Sequence, residues 1–230
     1  MLKKVTFTGI DEFVSIDELV KLKDKYPFVE FGFLVADGWT GQNKHNRFPS
    51  LGMLEKLNGL DLNLALHVCG RLAKSAIQTG TLEDVKEFMG DSFELFQRVQ
   101  LNVVGVKTFK PYFIDTYEKD VIIQLNYDTA ASQKMYLELL GEENIYFLDD
   151  KSGGTGKESE PTAFDGYTGF AGGISPENVV NKIKQFEKTD MDDFWIDMES
   201  GVRTEDRFNV KKCENICELI TKNFDYLLET

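Results

Sequence analysis

Phe170-Ala171-Gly172-Gly173-Ile174-Ser175-Pro176-Glu177-Asn178-Val179, followed by Ile196-Asp197-Met198-Glu199-Ser200-Gly201-Val202, states one pattern twice. Each segment is a short apolar strand, then small residues where the strand ends, then a polar helix start or turn. Two such units in succession are how a (β/α)8 barrel builds a phosphate cradle. Glycines let backbone N–H groups approach the oxygens, and a helix N-terminus adds partial positive charge. The spacing predicts Ser175 as the N-cap of the helix after the first unit, with Pro176 at its first position.

Outward from these units, strand-like and helix-like segments alternate to both ends of the chain, the mark of α/β architecture. Strands are predicted at 3–9, 28–36, 62–70, 98–104, 121–126, 144–149, 167–172 and 194–198, and eight is the barrel number. Helical patterns fall at 15–26, 50–57, 81–96, 130–140, 176–187 and 210–228. The first opens on Ser15 and Glu18, the spacing of a capping box. The aromatic connector 105–120 has weak periodicity and reads as a poor helix. The stretch 152–165 is rich in Gly, Ser, Glu and Pro without an apolar stripe, so the sixth helix is expected to be short or missing. One (β/α)8 TIM barrel domain of the phosphate-binding type over 1–230 accounts for all of this.

Composition narrows the partners. The 230 residues carry 39 acidic and 26 basic side chains, a net charge of −13. This argues against nucleic acid as the main partner, because phosphate backbones need a basic surface. The same field repels anionic small molecules, so any phosphate site must be made locally from backbone dipoles and a few cations. No apolar run approaches the ~20 residues of a membrane span. The N-terminus lacks a signal-peptide pattern, so no membrane partner and a cytoplasmic location are expected. Cys69, Cys213 and Cys217 are too few and too uneven for a disulfide framework. Cys213 and Cys217 share an apolar helical face with Ile216, Ile220 and Phe224, which reads as core; with two histidines in the chain, no metal is expected.

In such a barrel, ligands meet the tips of the strands. Alternation puts Thr6 and Thr8 on one face of strand one, and Asn63, Ala65, His67 and Cys69 inside strand three. Strand four offers Gln100 and Asn102, strand five Gln124 and Asn126. Strand six ends at Asp149-Asp150, and strand eight carries Asp197 and Glu199. Asp149 is the leading acid–base candidate, since a tip carboxyl shielded by a glycine loop can titrate near the working pH. The competing reading is that Asp149 or Asp150 caps the turn at 152–156. Asp197 suits ligand hydroxyls or loop support, and His67 a proton shuttle or a structural layer. Gly153-Gly154-Thr155-Gly156-Lys157 lacks P-loop spacing and has Glu158 where magnesium needs Ser or Thr. It remains a loop whose N–H groups suit an anion. In the loop 37–50, Arg47 can clamp a carboxylate while Trp39 or Phe48 stacks on a ring.

Phe147-Leu148-Asp149, Gly153-Gly154-Thr155-Gly156, 171–179 and 196–202 resemble, in order and placement, the phosphoribosylanthranilate isomerases. Arg47-Phe48-Pro49-Ser50 is similar to that family's segment after strand two. The resemblance implies an Amadori rearrangement of a phosphorylated ribosyl-amine, an aldose-to-ketose isomerisation in tryptophan biosynthesis, without metal or cofactor. It implies Asp149 as general acid and Arg47 at the substrate carboxylate. Gly154, Thr155, Gly156, Gly172, Gly173, Ser200 and Gly201 would hold the phosphate, with Asp197 at the ligand. The family's strand-one cysteine, its general base, is replaced by Thr8, a poor base at neutral pH. His67, Cys69 and Asp11 are the available substitutes. A second expectation is a divergent barrel that binds a phosphorylated metabolite without turning it over. A third is another phosphate-barrel activity, such as an epimerase or a thiamin-phosphate-type synthase. A monomer or homodimer fits either case.

Overall fold

In the computed structural model, the described residues are 1–42, 46–103, 108–125, 129–152, 166–189 and 193–228. Eight parallel strands close into a barrel: β1 (Leu2–Thr8), β2 (Val29–Val35), β3 (Leu64–Val68), β4 (Arg98–Leu101), β5 (Asp120–Leu125), β6 (Ile145–Asp149), β7 (Thr168–Phe170) and β8 (Phe194–Met198). The closing pair sets β1 beside β8, with Thr6 opposite Asp197. Each predicted strand is present. The helices are α1 (Ile16–Lys25), α2 (Leu51–Glu55), α3 (Gly70–Thr79), α4 (Glu83–Met89), α5 (Ala130–Leu139), α6 (Val179–Phe186) and α7 (Val210–Phe224). A two-stranded hairpin, β9 (Arg203–Thr204) and β10 (Arg207–Phe208), precedes α7. This is the (β/α)8 barrel that the strand rhythm implies.

Every residue of β2 is buried, as parallel strands covered on both faces require. Its alternation sorts the two faces. Val29, Phe31, Phe33 and Val35 join the main core under the helices, whereas Leu34 packs separately with Ala36 and Phe48 near the barrel mouth. Glu30, Gly32 and Leu34 therefore face inward. At the lower end of the interior Arg98 Nη1 donates to Glu30 Oε1 at 2.8 Å, Thr6 donates to the same oxygen at 2.9 Å, and the Arg98 guanidinium lies 4.5 Å from the Trp195 ring. Burial alone would raise the Glu30 pKa, but Arg98, then Lys4 and Thr6, hold it below the ordinary value. A Cβ on Gly169 would come 2.2 Å from Trp195, so that strand gives the indole its room.

Three local expectations need correction. The sequence reading placed no helix at 70–79, yet α3 forms there, burying Leu72, Ala73, Ala76 and Ile77. Its stripe is half alanine, which weakens the apolar signal, and Gly80 ends it in the left-handed region at φ 71. Ser15 sits at the N-cap of α1 without a side-chain cap, because the Glu18 N–H bonds the Ser15 carbonyl instead. Nor does α6 start at Ser175–Pro176. Asn178 is its N-cap, and the preceding residues form a turn in which Asn178 accepts the Ser175 N–H and donates to the Gly173 carbonyl. The described part of the 105–120 connector contains no helix. Most of the expected short or missing sixth helix, 153–165, lies outside the described residues.

Candidate functional site

The strand tips open into a cavity of about 580 Å³ at the C-terminal end of the barrel. Thr8, His67, Gln100, Gln124 and Asp197 form its floor, one apiece from β1, β3, β4, β5 and β8, and Asp150 follows β6. Leu34, Trp39 and Phe48 make an apolar wall, with the two aromatic rings edge to face at 5.2 Å. Gly172, Gly173 and Ser200 line the opposite side, and Arg47, Lys74 and Glu199 the mouth.

The floor is a connected set of polar groups. Thr8 Oγ1 donates to Asp197 Oδ1 at 2.7 Å. Asp197 Oδ2 lies 3.9 Å from His67 Nδ1. Gln100 Nε2 lies 3.2 Å from that same ring nitrogen and 3.0 Å from Asn102 Oδ1, and Asn102 donates to Cys69 Sγ at 3.3 Å. Gly32 is what lets Thr8 and His67 approach. A Cβ there would sit 2.4 Å from Thr8 Oγ1 and 2.9 Å from His67 Nε2.

Burial dominates the titration of this floor. It pushes the Asp197 carboxyl up to about 7, with Asp150 and Glu30 adding to the rise against the lowering effect of the Thr8 hydroxyl. It holds His67 down to about 4, so the imidazole is neutral at neutral pH. Burial also pushes the Cys69 thiol up to about 11. Glu199 is raised by burial, with Arg47 opposing.

Of the residues singled out from sequence, the structure brings Thr8, His67, Arg47, Gly172, Gly173, Asp197 and Ser200 to one cavity. Gly201 packs behind it, where a Cβ would meet the Ile174 carbonyl oxygen at 2.0 Å. Gly172 and Gly173 have φ of 100° and 67°, a left-handed turn open to few other residues. Gly154, Thr155 and Gly156 lie outside the described residues. Asp11 is a structural anchor away from the cavity, accepting Arg203 Nη2 at 3.1 Å and the Phe208 N–H at 2.7 Å.

Asp149 does not line the cavity; Asp150 does. Asp149 has the parity of Phe147, which packs on Tyr136 of α5 at 4.8 Å and so faces the helices. Asp150 shares the parity of Leu148, which packs with Ile122 and Trp195 inside the barrel. Asp150 also caps the following turn, accepting the Ser152 N–H at 3.0 Å, and takes Gln124 Nε2 at 2.5 Å. Strict alternation along β6 was the signal for it in the sequence. Lys74 was missed with the helix that carries it. Arg47 donates to Glu199 and, at 3.2 Å, to Asp206.

No helix among the described residues is long and apolar enough to cross a membrane. Among the described residues, no group of three or more His, Cys, Asp or Glu side chains could hold a metal ion. A family model described as N-(5'-phosphoribosyl)anthranilate (PRA) isomerase matches residues 91–221, more than half of the chain. Among solved structures, the N-(5'-phosphoribosyl)anthranilate isomerase of Pyrococcus furiosus is similar at 17% identity and a TM-score of 0.60, over 95% of this chain and 98% of that one. The phosphoribosyl anthranilate isomerase of Thermococcus kodakaraensis is similar at 16% identity and a TM-score of 0.53, over 95% and 99%. At these identities the likeness is one of fold. No curated protein matches the chain.

Proposed function

The chain belongs to the phosphoribosylanthranilate isomerase family, and from that membership we propose that it isomerises a phosphorylated ribosyl-amine by an Amadori-type aldose-to-ketose rearrangement. The observation that carries this reading is the convergence of Asp150, Asp197 and His67 with the Gly172–Gly173 turn on one cavity. Proton-transfer groups and an anion-sized glycine turn there line one space that a sugar phosphate can fill.

On this reading the phosphate rests on the turn at Gly172–Gly173 and on Ser200, with Gly201 letting the two loops close together. The tip of β6 supplies the acid, and the geometry favours Asp150 for it over Asp149. Asp150 donates a proton to the furanose ring oxygen as the ring opens to an iminium. Trp39 and Phe48 offer a face to an aromatic substituent. On the same reading the enzyme works in the cytoplasm, in a pathway of the tryptophan type.

A specific observation favours the second reading, a barrel that binds a phosphorylated metabolite other than the family substrate. Arg47, the cation suited to a substrate carboxylate, is already engaged by Glu199 and Asp206. A carboxylate ligand must displace Glu199, leaving it beside Asp197. The test is turnover of phosphoribosylanthranilate, followed by loss of its fluorescence. Asp150→Asn is expected to lower the rate by about 10²–10⁴-fold, the usual worth of a general acid, while Asp149→Asn keeps most of it. A parent protein that binds phosphate esters but turns nothing over supports the second reading. One that binds no phosphate ester at all sinks both.

A further inference from the structure

The rearrangement needs a base inside the cavity, and Thr8 is not one. Its hydroxyl proton is committed to Asp197 Oδ1 at 2.7 Å, and an unactivated alcohol holds its proton far above neutral pH. The other groups on the floor and at the mouth narrow the choice. His67 stays neutral down to about pH 4 and is thus a weak acceptor. Cys69 keeps its proton to about pH 11. Asp150, which accepts from Ser152 and Gln124, already serves as the acid that opens the ring. Glu199 is held by Arg47.

Asp197 remains, and its setting suits the task. It lines the floor of the cavity. Thr8 orients Oδ1 and Gln100 also hydrogen-bonds the carboxyl, while His67 Nδ1 stands 3.9 Å from Oδ2, beyond hydrogen-bond reach. We propose that the Asp197 carboxylate is the base of the rearrangement and that Thr8 is its positioning residue, so that the last strand of the barrel supplies the group the first strand lacks. The inference rests on the isomerase reading above.

The step balances as follows. After ring opening, Asp197 takes the proton from C2 of the iminium. The electrons of the C2–H bond become the C1=C2 bond, and the C=N pair returns to nitrogen. The resulting enol then gains a proton at C1 and loses one from the C2 hydroxyl, which becomes the ketone. C1 is reduced and C2 oxidised within one molecule, so no outside oxidant or reductant is needed. The acid regains its proton as Asp197 gives up its own.

A base poised near the working pH is the most effective kind, and the Asp197 value of about 7 meets that condition. The groups that set it are Thr8 on β1, Glu30 on β2, Gln100 on β4 and Asp150 after β6. His67 on β3 and Glu199 also adjoin it, with Arg47 and Lys74 the cations of the same cavity.

The test measures kcat/KM on phosphoribosylanthranilate from pH 5 to 9 for the parent, Asp197→Asn, Thr8→Val and Thr8→Ser. The parent rate is expected to rise along an ionisation near pH 7. Asp197→Asn should lose at least a hundredfold in kcat while still binding the ketose product. Thr8→Val removes the hydrogen bond that favours the carboxylate, so the ionisation should move to higher pH, and Thr8→Ser should leave it in place. A purely structural Thr8 would lower the rate without moving the ionisation. Asp197→Asn with more than a third of parental kcat, or an ionisation that Thr8→Val leaves unmoved, overturns the assignment alone. A parent without turnover removes the isomerase reading and the assignment together.

Discussion

Gly32 shows how much of the site rests on a missing atom. Strands β1, β2 and β3 bring Thr8, Gly32 and His67 together inside the barrel, and only hydrogen at position 32 lets the hydroxyl and the imidazole come so close. Gly32→Ala should therefore destabilise the fold by about 1–3 kcal/mol, the usual cost of overpacking. It should also break the Thr8–Asp197 contact, with the first effect read by urea denaturation and the second by a shift of the pH-dependent limb to higher pH. Asp197 makes its own stability prediction. Its folded pKa of about 7 stands above the ordinary 3.8, so the stability it contributes is fully present below about pH 4 and is lost as pH rises through 7. Asp197→Asn cannot ionise. It should be more stable than the parent at pH 8, on the order of a few kcal/mol, and the gap should close toward pH 4. His67, lowered to about 4, loses stability as pH falls from 6.5, but it does so in both proteins and drops out of the difference. Equal pH profiles of stability for the two proteins would contradict the burial argument.

At the scale of elements, the strands were legible and the helix boundaries less so. Parallel strands buried on both faces, such as Val29–Val35, announce themselves as dense apolar runs. The helix α3 did not, because two of its four buried residues are alanines and it begins directly at the end of β3. Missing it hid Lys74. The start of α6 was displaced because Asn178, not Ser175, provides the cap, and nothing in Ser-Pro-Glu-Asn tells the two apart without the Gly172–Gly173 turn. Asp149 and Asp150 were hard to separate for a different reason: a one-residue shift in where the strand ends exchanges inside for outside. Where a cap is well formed, its worth can be measured. Asn209 accepts the Lys212 N–H at 3.2 Å and donates to Thr204 Oγ1 at 2.9 Å, tying the hairpin β9–β10 to α7. Asn209→Ala should cost about 1 kcal/mol, seen as a lower urea midpoint with an unchanged slope.

For the whole molecule, charge and closure matter most. On the proposed reading, a chain of net charge −13 takes a phosphorylated ligand against its own field. Screening that field should help, so the association rate of an anionic ligand should rise between about 10 and 150 mM salt, as the Debye length falls from roughly 30 to 8 Å. Stopped-flow binding measures this directly, and a falling rate would mean that local cations govern the approach. Closure has a further consequence. Thr8 and Asp197 stand 189 positions apart, yet they touch because β1 and β8 are neighbours. During synthesis the ribosome releases the strand-one member long before its companion exists, and every nascent chain that stops short of position 197 lacks half of the pair. On the proposed reading, the pair that acts on an unstable sugar is therefore assembled only when the last strand joins the first, so competence waits on closure of the ring and not on any single βα unit.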